Sequence, residues 1–432
     1  MTGPNLVTSD VLIIGAGPSG LTAAATIAPC LRGQVLVLER EMTPGGIPRH
    51  SDHMGYGLRD MHTFITGPAY ARRLIDNASR AGAGVRTSAT VTGWCAPRTV
   101  EVTSPEGRER ISGRAIILAT GARERPRAAR LIAGDRPAGV YTTGQLQNLV
   151  HIHHRSPGTS AVIVGAELVS WSAAMTLRQA GCRPVLMTSV HSRPESPAAL
   201  SALGRIAFRL PVRTRTRVAL IIGKRRVHAV ELEDLDTRRR ATVTCDTVIV
   251  TGDWIPDNEL ARLAGLELDP HTLGPIVDTS QATSTPGIYA IGNLTHPVDT
   301  ADCAALDGRA IAQTVIEYLD GDAPAPAATT RVLPGESLAW VSPGILKRGI
   351  APPRDRFLAW PREQIPYPTI TVAQNGHTIA CRTLPWPASP GRILRIPSSL
   401  LLAAHVSDDP ITVDIHPTRH RRAILRKRTR VA

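Results

Sequence analysis

The apolar positions of the chain fall into short β-branched runs punctuated by small-residue turns. The first run, Val11-Leu12-Ile13-Ile14, leads directly into Gly15-Ala16-Gly17-Pro18-Ser19-Gly20 and then into the helix-forming stretch Leu21 to Ala28. That order predicts strand, glycine-rich turn and helix. The next run, Val35 to Leu38, is a strand ending in Glu39, and Ala115 to Ala119 is another, ending in Thr120-Gly121. A second strand, turn and helix follows at Ala161 to Val164, Gly165 to Ser170 and Trp171 to Leu177, with a further strand at Pro184 to Met187. Strands are expected again at Val227 to Leu232 and Thr247 to Val250. Strand and helix alternate in this way only when the strands lie parallel, so the fold class is α/β.

Beyond about residue 330 the pattern changes. Ile370 to Gln374 and His377 to Cys381 flank Asn375-Gly376, which predicts a hairpin with a type I′ turn. Prolines and Trp340, Trp360 and Trp386 mark this stretch as a small β-rich domain. The expected divisions are 1–125 and 251–320 for one domain, 126–250 for a second inserted into it, an Ala/Pro-rich linker at 321–332, the β-rich domain at 333–418 and a basic tail at 419–432.

Composition narrows the class. A chain of 432 residues with 42% hydrophobic and 20% charged positions buries large cores. Its net charge of +14 suggests nucleic acid, but Lys occurs only at 224, 347 and 427, and the aromatics are six Trp, six Tyr and three Phe. Stacking platforms are scarce, and half of the excess charge lies in the tail between Arg419 and Arg430. No nucleic-acid partner is expected. The six cysteines include no Cys-x-x-Cys pair, which excludes a local dithiol and a closely spaced cluster. No apolar run is long enough to span a bilayer and the N-terminus lacks a basic leader, so a cytoplasmic location is expected.

The first glycine turn carries the strongest chemical signal. Gly15 permits the tight turn, Gly17 lets a pyrophosphate approach the backbone and Gly20 lets helix and strand pack closely. Glu39, nineteen residues after Gly20, has the spacing of a carboxylate that binds a ribose hydroxyl pair. The second turn departs from this pattern. Glu167 stands at the middle glycine position and Ser170 at the third, and the following strand ends in Thr188, not in an acid. NAD(P) binding there is left open.

With Thr120-Gly121 and the segment Thr285-Pro286-Gly287-Ile288-Tyr289-Ala290-Ile291-Gly292-Asn293, the chain from about residue 8 to 320 resembles the FAD-dependent oxidoreductases with two dinucleotide-binding domains. The family usually has Gly-Asp where this chain has Gly292-Asn293. The resemblance implies FAD contacts from Gly15, Gly17, Pro18, Ser19, Gly20, Glu39 and Arg40. It extends them to Gly46, Ile47, Val91, Thr120, Gly121, Gly292, Asn293, Thr300 and Ala301. Within it, the loop His50 to Asp60 and the segment Pro286 to Asp302 look most like the branch with opine oxidase, hydrogen cyanide synthase and sarcosine oxidase subunits. That branch implies oxidation of C–N bonds of amines or amino acids, with a small-molecule substrate and a partner subunit or other electron acceptor. Candidate bases are His50, His53 and His296, with Asp302 among the orienting acids. No metal site is expected, His151 to His154 reading as a solvated helix end. Two other readings stand beside this one: an NAD(P)H-dependent flavin reductase or monooxygenase, and a non-catalytic FAD-holding subunit.

Overall fold

The computed structural model describes residues 6–321 and 327–418, apart from 402–403, 405–406 and 408. The basic tail lies outside the described residues, as do residues 322–326 of the Ala/Pro-rich stretch. A strand, Thr329–Pro334, already begins within the span expected as linker.

The first apolar runs build a central sheet. Leu6–Ile14 pairs in parallel with Val35–Leu38 on one side and with Gly107–Leu118 on the other, in registers that set Val11 beside Val35 and Ala115. Gly84–Arg86 extends one edge, the meander Thr90–Ala96 and Thr99–Ser104 extends the other, and Ile288–Ala290 returns from far along the chain to pair with Ile116 to Leu118. One face of this sheet is covered by Pro18–Ile27, Gly67–Arg80 and the long helix Ala301–Asp320, which enclose Val11, Ile13, Leu21, Tyr70 and Ile311. The long helix crosses close to Pro18–Ile27 at Gly308, where a Cβ would lie 2.1 Å from the Ser19 carbonyl oxygen.

The insertion is joined through the antiparallel pair Ala122–Glu124 and Trp254–Pro256. It has its own parallel sheet, ordered Val140–Thr142, Thr247–Val250, Ser160–Val164, Arg183–Thr188, Val212–Arg213, with the helix Leu168–Gln179 against it. The strand expected at 227–232 is found at Ala229–Asp234, in a separate four-stranded sheet.

The β-rich region forms sheets of five and three strands around Val332, Phe357, Ile370 and Ile415. Its hairpin has φ of 51° at Asn375 and 75° at Gly376, the left-handed pair that a type I′ turn needs. Among the described residues no helix is long and apolar enough to cross a membrane.

Candidate functional site

The first fingerprint is shaped to receive a diphosphate. Gly15 has a φ of 108° and a Cβ there would fall 2.5 Å from the Ala119 carbonyl oxygen, while one on Gly20 would fall 1.9 Å from that of Gly15. At Gly17 a Cβ would meet no atom within 4 Å. Gly17 is also the N-cap of Pro18–Ile27, whose first turn has neither a side-chain cap nor an acid. Its N–H groups and positive dipole end therefore face the open side of the turn.

The other implied contacts gather round this turn. Glu39 is buried, its carboxylate accepting the N–H groups of Ala16 and Glu41 at 2.9 Å each. Ser88 and Ala89 donate to the Glu41 and Glu39 carbonyls, which brings the strand carrying Val91 alongside. Gly46 touches Gly17, a Cβ there lying 3.0 Å from the Gly17 Cα, and Ile47 beside it is half exposed. Gly292 packs on Ser19, and Thr300 and Ala301 open the long helix. Arg40, Thr120 and Gly121 instead converge on Asp257, a residue the motif does not mark: its carboxylate meets Arg40 at 3.2 Å, its carbonyl accepts from Thr120 and its N–H donates to Gly121. The Asn293 amide pins its own loop, donating to the Asp299 carbonyl at 3.1 Å and accepting the Asp299 N–H at 3.0 Å.

The loop 47–60 folds onto the start of the long helix. Arg59 donates its backbone N–H to Asp302 at 3.1 Å, and its guanidinium meets the same carboxylate at 3.2 Å and the Thr300 hydroxyl at 3.3 Å. Next to them Asp60 accepts the Tyr70 hydroxyl. Burial pushes the Asp60 carboxyl above its ordinary range and the phenols of Tyr56 and Tyr70 upward as well. Tyr56 lies near both Ser51 and Asp302 and links the two halves of the cluster.

The two loop histidines are held differently. His53 donates from Nδ1 to the Met54 carbonyl at 2.8 Å, which leaves Nε2 to accept the Ser51 hydroxyl at 3.0 Å. Gln147 in turn donates to Ser51 and Ser172. His50 is buried, and its Nδ1 has no hydrogen-bond partner. Burial, aided by the charge of Arg49, lowers its pKa to about 4, so it is neutral at physiological pH. His151, expected on a solvated helix end, bonds to the His50 carbonyl and to Gln179 and buttresses this loop.

His296 sits apart from these groups. Its Nε2 meets the Asp307 carboxylate at 2.6 Å, and Asp307 pairs at 2.9 Å with Arg354 of the β-rich region. Arg395 of the same region reaches Asp299 at 3.0 Å. Burial pushes the Asp299 carboxyl up, but Arg395, His296 and Arg354 outweigh it and hold the pKa below the usual range. Tyr70, Gln147, Asp257, Arg354 and Arg395 are the groups that motif reading misses. Each reaches the site only through tertiary packing, and none lies at a signature spacing.

The second fingerprint differs. Gly165 makes the turn, but the Glu167 side chain lies across it, so close to Gly252 that a Cβ there would fall 2.0 Å from the carboxylate oxygen Oε1. These residues do not fit the diphosphate of a nicotinamide dinucleotide.

A diphosphate cradle on one parallel sheet, a second dinucleotide fold inserted beside it and a polar cluster at the start of the long helix define the class: a two-dinucleotide-domain FAD protein. Residues 9–308 match the model of the pyridine nucleotide-disulphide oxidoreductases, and the chain belongs to that family. It is 27% identical over 72% of its length to an opine oxidase subunit of Agrobacterium tumefaciens (strain Ach5), covering 66% of that protein. It is 27% identical over 78% of its length to the alpha subunit of sarcosine oxidase of Rhizobium meliloti (strain 1021), covering 34% of it. The chain thus spans less than two thirds of the length of these curated relatives. Its fold is similar to that of T. acidophilum thioredoxin reductase, with a TM-score of 0.60 at 20% identity over 73% of this chain and 99% of that one.

Proposed function

We propose that the chain is an FAD-dependent oxidoreductase that oxidises a C–N bond of an amine or amino-acid-like substrate. We assign 1–125 and 251–320 to the FAD domain and 126–250 to the insertion, with the diphosphate at Gly15 to Gly20, the adenosine ribose at Glu39 and the flavin end near Gly46, Ile47, Thr300 and Ala301. FAD supplies, when bound, a two-electron acceptor for hydride leaving the substrate carbon.

The observation that carries this reading is the buried polar cluster of the loop 47–60 against the start of the long helix. To His50, buried and neutral, we assign the role of taking a proton from the substrate nitrogen. The Gln147, Ser51 and His53 chain orders the loop around it. Arg59, anchored through one nitrogen to Asp302, keeps the rest of a half-exposed guanidinium for a substrate carboxylate. Thiol chemistry has little to work with. All six cysteines are unpaired, and burial next to Asp299 pushes the Cys303 thiol up, away from the reactive thiolate. The names of the opine and sarcosine oxidase relatives agree with the reading, and as those relatives are subunits, we assign reoxidation to a partner protein or another acceptor.

The test is anaerobic titration of the FAD-loaded protein with a panel of amino acids, secondary amines and opines, following the visible flavin absorbance. Bleaching by at least one of them is the expected result, and unchanged absorbance with all of them overturns the proposal.

A further inference from the structure

We infer that the second dinucleotide fold is not a nicotinamide site but a socket for the β-rich region, whose segment Ser389 to Gly391 seats against Glu167 and closes the fingerprint turn. This inference does not depend on the substrate proposed above.

Three sets of contacts support it. The first lies at the turn itself. A Cβ built on Gly391 would fall 2.9 Å from the Glu167 Cγ and 2.8 Å from the Glu195 Cβ, so the Gly391 backbone lies directly on both side chains. A diphosphate at the start of Leu168–Gln179 needs the space next to the middle fingerprint residue, which Glu167 and Gly391 fill from two sides. Burial and the neighbouring Glu195 push the Glu167 carboxyl up to about 8. The desolvated turn thus disfavours negative charge, Glu167's own included.

The second set lies where the adenosine ribose is bound in such folds, at the end of the following strand. Thr188 and Ser189 are buried, and the Ser189 hydroxyl donates to the Glu195 carboxylate at 2.9 Å. The loop beyond folds back over the turn. Ser196 donates its N–H to the Ala166 carbonyl at 3.0 Å, and its hydroxyl accepts the Trp171 indole N–H at 3.0 Å.

The third set ties that loop to the β-rich region. Gln364 donates to the Arg193 carbonyl at 3.2 Å, and the buried Ser389 hydroxyl lies 3.5 Å from the Glu195 carbonyl. The acid that spoils the fingerprint and the glycine that permits close approach belong to one interface.

The experiment uses the full chain loaded with FAD. NADH and NADPH are each offered at about 1 mM, the upper end of ordinary enzyme–substrate affinities, with binding read by equilibrium dialysis and flavin absorbance read anaerobically. The expected result is no saturable binding and no bleaching, and saturable binding of either nucleotide overturns the inference. In Glu167→Gly, with thermal melting to confirm folding, binding remains absent because the Gly391 backbone still covers the turn. Gain of NADH binding in that variant overturns the assignment of the cover to the β-rich region. If NADH binds and an amine also bleaches the flavin, only this inference fails. If neither does, the proposed substrate class fails and this inference stands.

Discussion

Tyr70 donates its phenolic hydroxyl to Asp60 Oδ2 at 2.6 Å, and both side chains are buried beneath the loop that faces the start of the long helix. The other Asp60 oxygen has no hydrogen-bond partner. Tyr70→Phe therefore leaves a buried carboxyl with neither oxygen bonded by a side chain, and we expect a loss of about 1–3 kcal/mol. The measurement is chemical denaturation of wild type and variant. Asp60→Asn in the Tyr70→Phe background should recover part of the loss, since the amide carries no charge to desolvate.

The acid limb of substrate-dependent flavin reduction should lie near pH 4, not near the ordinary histidine value. His50 is held neutral by burial down to about 4, so a proton acceptor at this position stays competent until the pH falls through that value. The same depressed pKa gives stability that is complete above about 6.5, is eroded as pH falls and is lost through about 4, because the unfolded chain binds the proton first. Stopped-flow reduction rates across pH test the first point. His50→Gln should lower the plateau rate by about 10²–10⁴-fold without releasing FAD.

Gly17 and Gly20 should respond in opposite ways to the same added methyl. A Cβ at Gly17 meets no protein atom within 4 Å, whereas one at Gly20 runs into the Gly15 carbonyl. Gly17→Ala should melt like the wild-type apoprotein, within about 0.5 kcal/mol, and lose FAD affinity. Gly20→Ala should lower apoprotein stability itself. The ratio of visible to ultraviolet absorbance after purification, beside apoprotein melting, separates the two effects.

Removing Arg395 should be costly because it leaves the buried Asp299 carboxylate without its main counter-charge. The expected loss for Arg395→Met is about 3–5 kcal/mol, and the double variant with Asp299→Asn should recover much of it. A double-mutant cycle in denaturant measures the coupling.

Much of this molecule can be read along the chain, and the boundary is physical. Short runs of Val, Ile and Leu, glycines at fixed offsets and Glu39 are local signals, and the fingerprint, the inserted second fold and the Asn375-Gly376 hairpin depend on little else. The loop 47–60 announces its histidines, Arg59 and Asp60 by composition. Their partners are not announced. Tyr70 lies on the inner face of an ordinary amphipathic helix, and Gln147 and Ser172 come from the inserted domain. His296 shows why residue type alone is a weak guide. It carries the same imidazole as His50, yet Asp307, itself paired with Arg354, engages it at the β-rich seam. Glu167 reads as a damaged motif until Gly391, far along the chain, shows what the side chain packs against.

The β-rich region grips two bodies at once: Arg354 and Arg395 hold the start of the long helix, while Gln364, Ser389 and Gly391 hold the inserted domain. It works as a splint. A swivel of the inserted domain about the paired strands Ala122–Glu124 and Trp254–Pro256 would have to break one set of these contacts. Rotation of one fold against the other is therefore opposed from both ends of the β-rich region. The loop 47–60, which the β-rich region leaves outside this splint, keeps Met54 and Leu58 about half exposed, with Phe64 just beyond it.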